Sequence, residues 1–86
     1  MRTVFSAGNG EVEVYELHVP ENWRGRPLQE LSPGNRCIVV AVTRGGTAML
    51  PSADVRLETG DVVHLSATRE GIEELWRRVA AVATGG

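Results

Sequence analysis

The C-terminal part of the chain holds its only long amphipathic helix pattern, and this limits the folds that the chain can adopt. Thr68 is a suitable N-cap, because its hydroxyl can accept a hydrogen bond from a first-turn amide. Gly85 and Gly86 end the helix and the chain. A single helix can cover only one face of a sheet. The apolar residues at helical spacing, which we expect to be buried, are Ile72, Leu75, Trp76, Val79, Val82 and Ala83.

Four segments that precede this helix have the patterns of β-strands. Apolar and polar residues alternate over 11–19, but the apolar ones occupy even-numbered positions at first and odd-numbered positions later. This change of face predicts a bulge or a bend in the strand. Residues 38–42 are β-branched or apolar on both parities, as in a strand covered on both faces. The turn at 44–46 leads into a short strand over 47–50, which completes a hairpin. The fourth strand covers 62–67.

The connections between these strands have clear turn signals. Pro27 suits the first position of a short helix over 28–31, and Gly60 and Asp61 form a turn before the last strand, with Asp61 as a turn residue. Residues 1–10 are either a loose arm or a short strand. The sequence thus predicts one domain over 11–84 with an α+β fold of the type β-X-ββ-X-β-α, in which a four-stranded, mainly antiparallel sheet is followed by one C-terminal helix.

This arrangement leaves one face of the sheet without a helix. On this face, a few hundred Å² of apolar surface would be unusual for a monomer, and burying it at ~25 cal/mol per Å² would stabilise a dimer by several kcal/mol. We therefore expect a homodimer. The alternative is that the connections 20–36 and 51–60 fold over this face. Residues of the central hairpin that we expect at the dimer interface are Ile38, Val40, Val42 and Met49.

Composition excludes several functional classes. Nine basic against eleven acidic residues argue against binding to nucleic acid or to an anionic membrane surface. The longest apolar run, 37–42, is too short to insert into a membrane. Cys37 is the single cysteine, so no internal disulfide can form and no cysteine-based zinc site is expected. This suits a reducing compartment, and we expect a cytoplasmic protein.

Residues with chemical potential do not form a recognisable catalytic or metal-binding pattern. His18 and Glu16 share a parity, but no third ligand is fixed near them, so we predict no metal site. Cys37 opens a strand that looks buried, which favours a small core side chain over a nucleophile. We therefore expect no enzymatic activity. Trp23 is expected to be buried under the first connection, and the alternative is an exposed anchor for a partner.

Several short motifs follow one another at a spacing that resembles the TrkA C-terminal (RCK C-terminal) domain family. The similarity runs from about Glu11 to Ala80. It implies two-fold dimers and a regulatory role beside potassium channels, Trk- or Ktr-type uptake systems and cation/proton antiporters. The motifs are Gly25-x-x-Leu28-x-x-Leu31, Ala41-Val42-x-Arg44-x-Gly46, Pro51 and Leu57-x-x-Gly60-Asp61-Val62-Val63.

The resemblance also implies a ligand. Some members of this family bind cyclic di-AMP in the cleft between two domains, with the purines on apolar residues near the start of the hairpin strand. No other cofactor is expected. The matching positions in this chain are Arg36, Cys37, Ile38, Val39 and Pro51, where Arg36 is the nearest cation.

Two other functions are compatible with the sequence. The Gly60-Asp61 turn also occurs in cupins, so a small stand-alone ligand-binding β domain is one alternative. A purely structural dimerisation module is the other. Because the sequence starts at Met1, we expect a stand-alone regulatory subunit, with a piece excised from a longer protein as the alternative.

Overall fold

In the computed structural model, which describes residues 2–8, 11–31 and 36–85, five antiparallel strands form one sheet in the order β1-β2-β5-β3-β4. One helix, α1, follows β5, and two short 3₁₀ turns, Glu21–Trp23 and Leu28–Leu31, lie between β2 and β3. The predicted α+β class is confirmed. The strands and the helix are β1 (Arg2–Ala7), β2 (Val12–His18), β3 (Cys37–Arg44), β4 (Thr47–Met49), β5 (Val62–Thr68) and α1 (Arg69–Gly85).

The sheet has one strand more than the four that were predicted. The additional strand is β1, which pairs with β2 and so makes the opening segment a strand and not a loose arm. The predicted bulge in β2 is wrong, because the ladder between β2 and β5 runs without a shift from Val12↔Thr68 to His18↔Val62. Register shifts occur instead in β1, between Thr3 and Phe5, and in β3.

The shift in β3 reverses the parity of that strand. Val39 is opposite Leu65 and Ala41 is opposite His64, which leaves Val40 as the extra residue of a bulge. Beyond the bulge, Val42 points to the helix side and is 0% exposed, whereas Ile38 and Val40 are 56% and 40% exposed. The expectation that Ile38, Val40 and Val42 share a face is therefore wrong for Val42.

The side chain of Met49 lies on the helix side of the sheet, like that of Val42. These two residues are opposite each other in the ladder between β3 and β4, and Met49 packs against the buried core. Ile38 and Val40 are thus the only two of the four expected interface residues that lie on the uncovered face. Their place in a dimer interface remains a prediction.

The helix side of the sheet carries the core, and both connections contribute to it. Trp23 is 1% exposed, which confirms its expected burial, and Leu31 and Leu57 are buried with it. Because the described parts of both connections pack on this side, the alternative in which they fold over the other face is wrong. In α1 the buried residues are Ile72, Leu75 and Val79.

Trp76 was expected in this core and is 49% exposed instead. It lies about 100° around the helix from Leu75, at the margin of the stripe, so that its ring is only partly covered. The side chains of Val82 and Ala83, which belong to the same predicted stripe, lie outside the described residues.

The start of α1 is in close contact with the start of β3. The hydroxyl of Thr68 accepts a hydrogen bond from the amide of Gly71 (3.1 Å), as expected of an N-cap, and the amide of Thr68 donates to the carbonyl of Arg36 (3.1 Å). A Cβ atom at position 71 would overlap this same carbonyl. Glycine is therefore required at 71 by close backbone approach.

We predict that Gly71→Ala lowers the free energy of unfolding by about 2 kcal/mol, because the backbone at Arg36 must move to accept the methyl group. Urea denaturation measures the change. Glu73→Ala, on the exposed face of the same helix, is the control and should leave the midpoint nearly unchanged. A Gly71→Ala protein as stable as the parent would contradict the close approach.

Candidate functional site

An open groove of about 280 Å³ lies at the edge of the sheet, beside β3. The second 3₁₀ turn forms one side of it and residues 51–53 form the other. Buried side chains make its floor, and exposed ones make its rim. The lining residues are Leu28, Gln29, Ile38, Val39, Pro51, Ser52 and Ala53.

The groove exists because β4 is short. β4 pairs with β3 only at residues 42–44, so no strand pairs with the preceding part of β3 on this side, within the residues that the structure describes. Pro51 has no amide hydrogen and cannot extend the β4 ladder. After Met49, the last residue of β4, the chain therefore runs away from β3, and a wedge-shaped gap separates β3 from residues 51–53.

Hydrogen bonds between the two connections fix the sides of this wedge. The amide of Leu28 donates to the carbonyl of Val55 (3.0 Å). The amide of Gly25 donates to the carbonyl of Leu57 (2.8 Å), and the Leu57 amide returns a bond to Arg26 (2.9 Å). The second 3₁₀ turn is thereby held at a fixed position relative to the segment that carries Pro51.

Three of the five sequence-predicted ligand residues meet in the groove, namely Ile38, Val39 and Pro51. Cys37 does not line it: this side chain is buried, its thiol donates a weak hydrogen bond to the Leu31 carbonyl (3.6 Å), and burial raises its pKa. Arg36 also lies outside the lining and pairs with Glu70 at 3.1 Å.

Sequence reasoning missed the other four residues of the groove. Leu28 was recognised only as the apolar edge of a short helix, and Gln29, Ser52 and Ala53 carried no signal. They come from two connections that are distant in sequence from β3 and reach it only through the tertiary fold. Among the residues that the structure describes, Gln29 and Ser52 are the only polar side chains of the lining, and none of the lining side chains is charged.

Three large apolar side chains of the hairpin and of the residue after β4 are exposed, and one of them, Ile38, also lines the groove. They are Ile38, Val40 and Leu50, which are 56%, 40% and 82% exposed. We call these three residues the rim patch. Leu50 was not among the expected interface residues, since strand patterns do not show how far the end of a hairpin projects.

A second cluster connects the hairpin to the connection that follows it. The guanidinium of Arg44 donates to both carboxylate oxygens of Asp61, from Nε at 2.9 Å and from Nη2 at 2.8 Å. It also donates to the Arg56 carbonyl (2.8 Å) and pairs with the Glu58 carboxylate (2.9 Å). Asp61 is 1% exposed, so this bidentate pair is largely shielded from water.

The environment of Asp61 stabilises its charged form. Hydrogen bonds from Arg44 hold the pKa of the Asp61 carboxyl below its usual range, although burial alone would raise it. The Glu58 amide also donates to this carboxylate (2.9 Å), which confirms the turn role expected for Asp61. No sequence pattern indicated its partner, Arg44, which lies 17 positions earlier.

Other titratable groups show no comparable arrangement. His18 Nε2 lies 3.4 Å from Glu16 Oε1 on the uncovered face. Within residues 2–8, 11–31 and 36–85, no three His, Cys, Asp or Glu side chains are grouped closely enough to bind a metal ion. The helices of this same part of the chain include none that is long and apolar enough to cross a bilayer.

Comparison with known proteins gives one consistent result. The model of the TrkA-C domain family matches residues 12–79. The Trk system potassium uptake protein TrkA of Mycobacterium tuberculosis (strain ATCC 25618 / H37Rv) is 34% identical over 70 residues, which cover 79% of this chain and 32% of that protein. The K(+)/H(+) antiporter NhaP2 of Shewanella baltica (strain OS223) is 31% identical over 72 residues, covering 84% of this chain and 12% of the antiporter.

The chain thus spans about a third or less of these two relatives. Its fold also matches a solved structure of an RCK domain with cda, at a TM-score of 0.59 and 23% identity, over 72% of this chain and 90% of that one. At this identity the match shows a common fold.

We predict that Asp61→Asn lowers the free energy of unfolding by about 3 kcal/mol at pH 7. This is the lower end of the cost of breaking a buried ion pair, because the Arg44 side chain is partly exposed to water. Because the pKa of Asp61 is lower in the folded state than in the unfolded state, its ionisation stabilises the fold. This stabilisation is complete at pH values above the unfolded-state pKa of about 4, and it is lost as the pH falls through the folded-state pKa. The difference between parent and variant should therefore shrink as the pH falls from 5 towards 3.

Urea titrations at several pH values measure this difference. Asp54→Asn, which changes an exposed loop carboxylate, is the matched control and should behave like the parent. A difference for Asp61→Asn that stays constant at every pH would show that the ion pair is not its source.

Proposed function

The chain belongs to the TrkA-C domain family, and from this premise we propose that it is a dimeric, ligand-sensing module that regulates a cation transporter. Membership places the chain among regulatory domains of transporters and not among enzymes. The observation that carries the more specific proposal is the groove, which brings Ile38, Val39 and Pro51 together beside the exposed rim patch.

The rim patch supports self-association. Ile38 and Val40 on the uncovered face, and Leu50 directly after β4, are large exposed side chains that are costly to leave in water, and a second copy can cover them. The middle of the same face is more polar, with Glu16 opposite His64 in the ladder. We therefore place the contact between copies at the hairpin end of the face, where Ile38 belongs both to the patch and to the groove.

The size of the groove supports a small planar ligand group. A volume of about 280 Å³ is at the low end of ligand pockets, which range over about 300–1,000 Å³. One groove thus suits one base and not a whole dinucleotide. An RCK domain of the same fold was solved with cda, which we interpret as cyclic di-AMP. We propose that this ligand bridges two grooves of a dimer.

The mechanism of regulation follows from this geometry. A ligand held by two subunits stabilises the arrangement of subunits that brings both grooves to the right distance. The ligand can shift the equilibrium between this arrangement of subunits and another one only by the difference between its affinities for the two. The angle between subunits then biases the transporter to which the module is attached.

The relatives indicate the class of partner. They include Trk potassium uptake proteins and a potassium/proton antiporter. We propose that the partner of this chain is a potassium or cation/proton transporter, contacted from its cytoplasmic side. The cupin-like alternative is rejected, because the five strands form one open sheet and not a two-sheet roll. In the remaining alternative, a purely structural dimerisation module, the same dimer would form but would bind no ligand.

We predict that the chain sediments as a dimer at micromolar concentration and that Leu50→Asp shifts it to the monomer of 9.3 kDa. The added carboxylate would have to be desolvated in the contact, which is unfavourable. Val12→Asp, which changes an exposed valine on β2 that is separated from β3 by β5, is the matched control and should stay dimeric. A monomeric parent, or a dimeric Leu50→Asp protein, would contradict the proposed contact.

We further predict that cyclic di-AMP binds with one ligand per two chains, as measured by isothermal titration calorimetry. Ala53→Glu should weaken binding at least about tenfold, because it places a carboxylate beside the groove and near the ligand phosphates. Ala81→Glu, on the exposed side of α1, should bind like the parent.

Potassium flux through the partner transporter in proteoliposomes links this binding to regulation. The parent and Ala81→Glu should make the flux depend on cyclic di-AMP, and Ala53→Glu should not. An absence of heat and of any shift in melting temperature with the parent would refute ligand sensing and leave the structural module as the remaining function.

A further inference from the structure

We propose that the exposed side of α1 binds a second copy of this chain, through an antiparallel pair of α1 helices related by a two-fold axis. The side chains that carry this inference are Glu73, Trp76, Arg77 and Ala80, which we call the α1 patch, and all four are exposed. The patch and the hairpin contact lie on opposite sides of the sheet. The inference therefore depends neither on the hairpin contact nor on a ligand.

The α1 patch is a continuous stripe on the helix surface. Residues four apart in a helix are neighbours, so Trp76 lies beside Ala80 and Glu73 lies beside Arg77. At 100° per residue, the four positions together span about 100° of the helix circumference. A stripe of this width is what one helix presents to another when the two pack together.

The fold leaves this stripe uncovered. α1 buries Ile72, Leu75 and Val79, and its contacts with other elements are mainly with β5, β3 and the first 3₁₀ turn. Trp76 lies on the flank beyond these contacts and is 49% exposed. A tryptophan is the side chain that most often anchors the centre of a protein interface. The small side chain of Ala80 beside it allows a second helix to approach closely.

The two charged side chains of the patch have no partner within residues 2–8, 11–31 and 36–85. Glu70 and Arg78 are the charged side chains of α1 that form an ion pair or a hydrogen bond there. Glu73 and Arg77 form neither, with each other or with another described residue, although their spacing of four residues permits a pair. Both charges are therefore available to a partner outside the chain.

The order of these two charges makes the patch complementary to itself. Glu73 and Arg77 are one helical turn apart, about 6 Å along the axis. When two copies of α1 pack antiparallel about an axis that passes midway between them, Glu73 lies beside the partner's Arg77, and Arg77 lies beside the partner's Glu73. The same operation brings the two Trp76 side chains to about 3 Å from each other along the helix axis. Each copy thus offers what the other needs, as in a closed two-fold contact.

A second copy fits this surface better than a partner of one charge. An anionic membrane or an acidic segment would pair with Arg77 but would be repelled by Glu73. A single stripe of four side chains makes a small interface, so we expect a dissociation constant of about 0.1 mM. Because the rim residues Ile38 and Val40 lie on the other side of the sheet, one chain can use both contacts at once.

The test measures self-association of Leu50→Asp, which removes the hairpin contact, by sedimentation equilibrium from about 10 µM to about 1 mM. If the parent chain is itself monomeric at micromolar concentration, the same series is run in the parent, so that the two contacts are judged separately. We expect the 9.3 kDa monomer to give way to a dimer as the concentration rises. Adding Trp76→Ala should raise the dissociation constant at least about tenfold.

Charge reversal tests the antiparallel arrangement. Glu73→Arg or Arg77→Glu alone should raise the dissociation constant at least about tenfold, because like charges then face each other across the contact. The double variant should associate like the starting protein, and an equimolar mixture of the two single variants should form heterodimers. Glu74→Arg, an exposed residue on the other flank of the helix, is the matched control and should associate normally.

The urea midpoint at micromolar concentration, where the contact is dissociated, should be the same for all the charge variants and so shows that each is folded. Three results overturn the inference. One is a monomer at every concentration up to about 1 mM. Another is an association that neither Trp76→Ala nor a single reversal weakens, which would place the contact elsewhere. The third is a double variant and a mixture that both fail to associate, which would exclude the antiparallel pairing.

Discussion

The bulge at Val40 is the constraint on which the rest of the structure depends. One extra residue in β3 lets Val39 and Val42 both point into the core, although their spacing in a regular strand would put them on opposite faces. It also leaves Ile38 and Val40 on the uncovered face. The bulge therefore decides which side chains of β3 enter the core and which remain on the uncovered face.

The Arg44–Asp61 pair makes the connection after β4 part of the same rigid unit. Asp61 closes its own turn through the Glu58 amide, and Arg44 ties that turn to the hairpin. The connection begins at the groove, with Pro51 at its rim. The bidentate pair to the buried Asp61 at one end of this segment, and the hydrogen bond from Leu28 to Val55 in its middle, hold this side of the groove in position.

Among the described residues, the lining of the groove is mainly apolar and includes no charged side chain, which is unusual for a site proposed to bind a dinucleotide. In the proposed complex the groove holds the base and the phosphates lie in the space between subunits. Because Ile38 belongs both to the rim patch and to the groove, ligand binding would be coupled to subunit geometry in the proposed dimer. This coupling is what a module that regulates a transporter needs, since a ligand acts only through states that it binds unequally.

Local periodicity, capping signals and ordered motifs were sufficient to predict four of the strands, the C-terminal helix, the cap at Thr68, the burial of Trp23 and the family. The pairing of β1, the reversal of parity at Val40 and the partner of Asp61 became visible in the folded chain alone. A bulge depends on which neighbour a strand finds, and an ion pair depends on how two distant turns meet. Both are therefore properties of packing, and local sequence patterns do not record them.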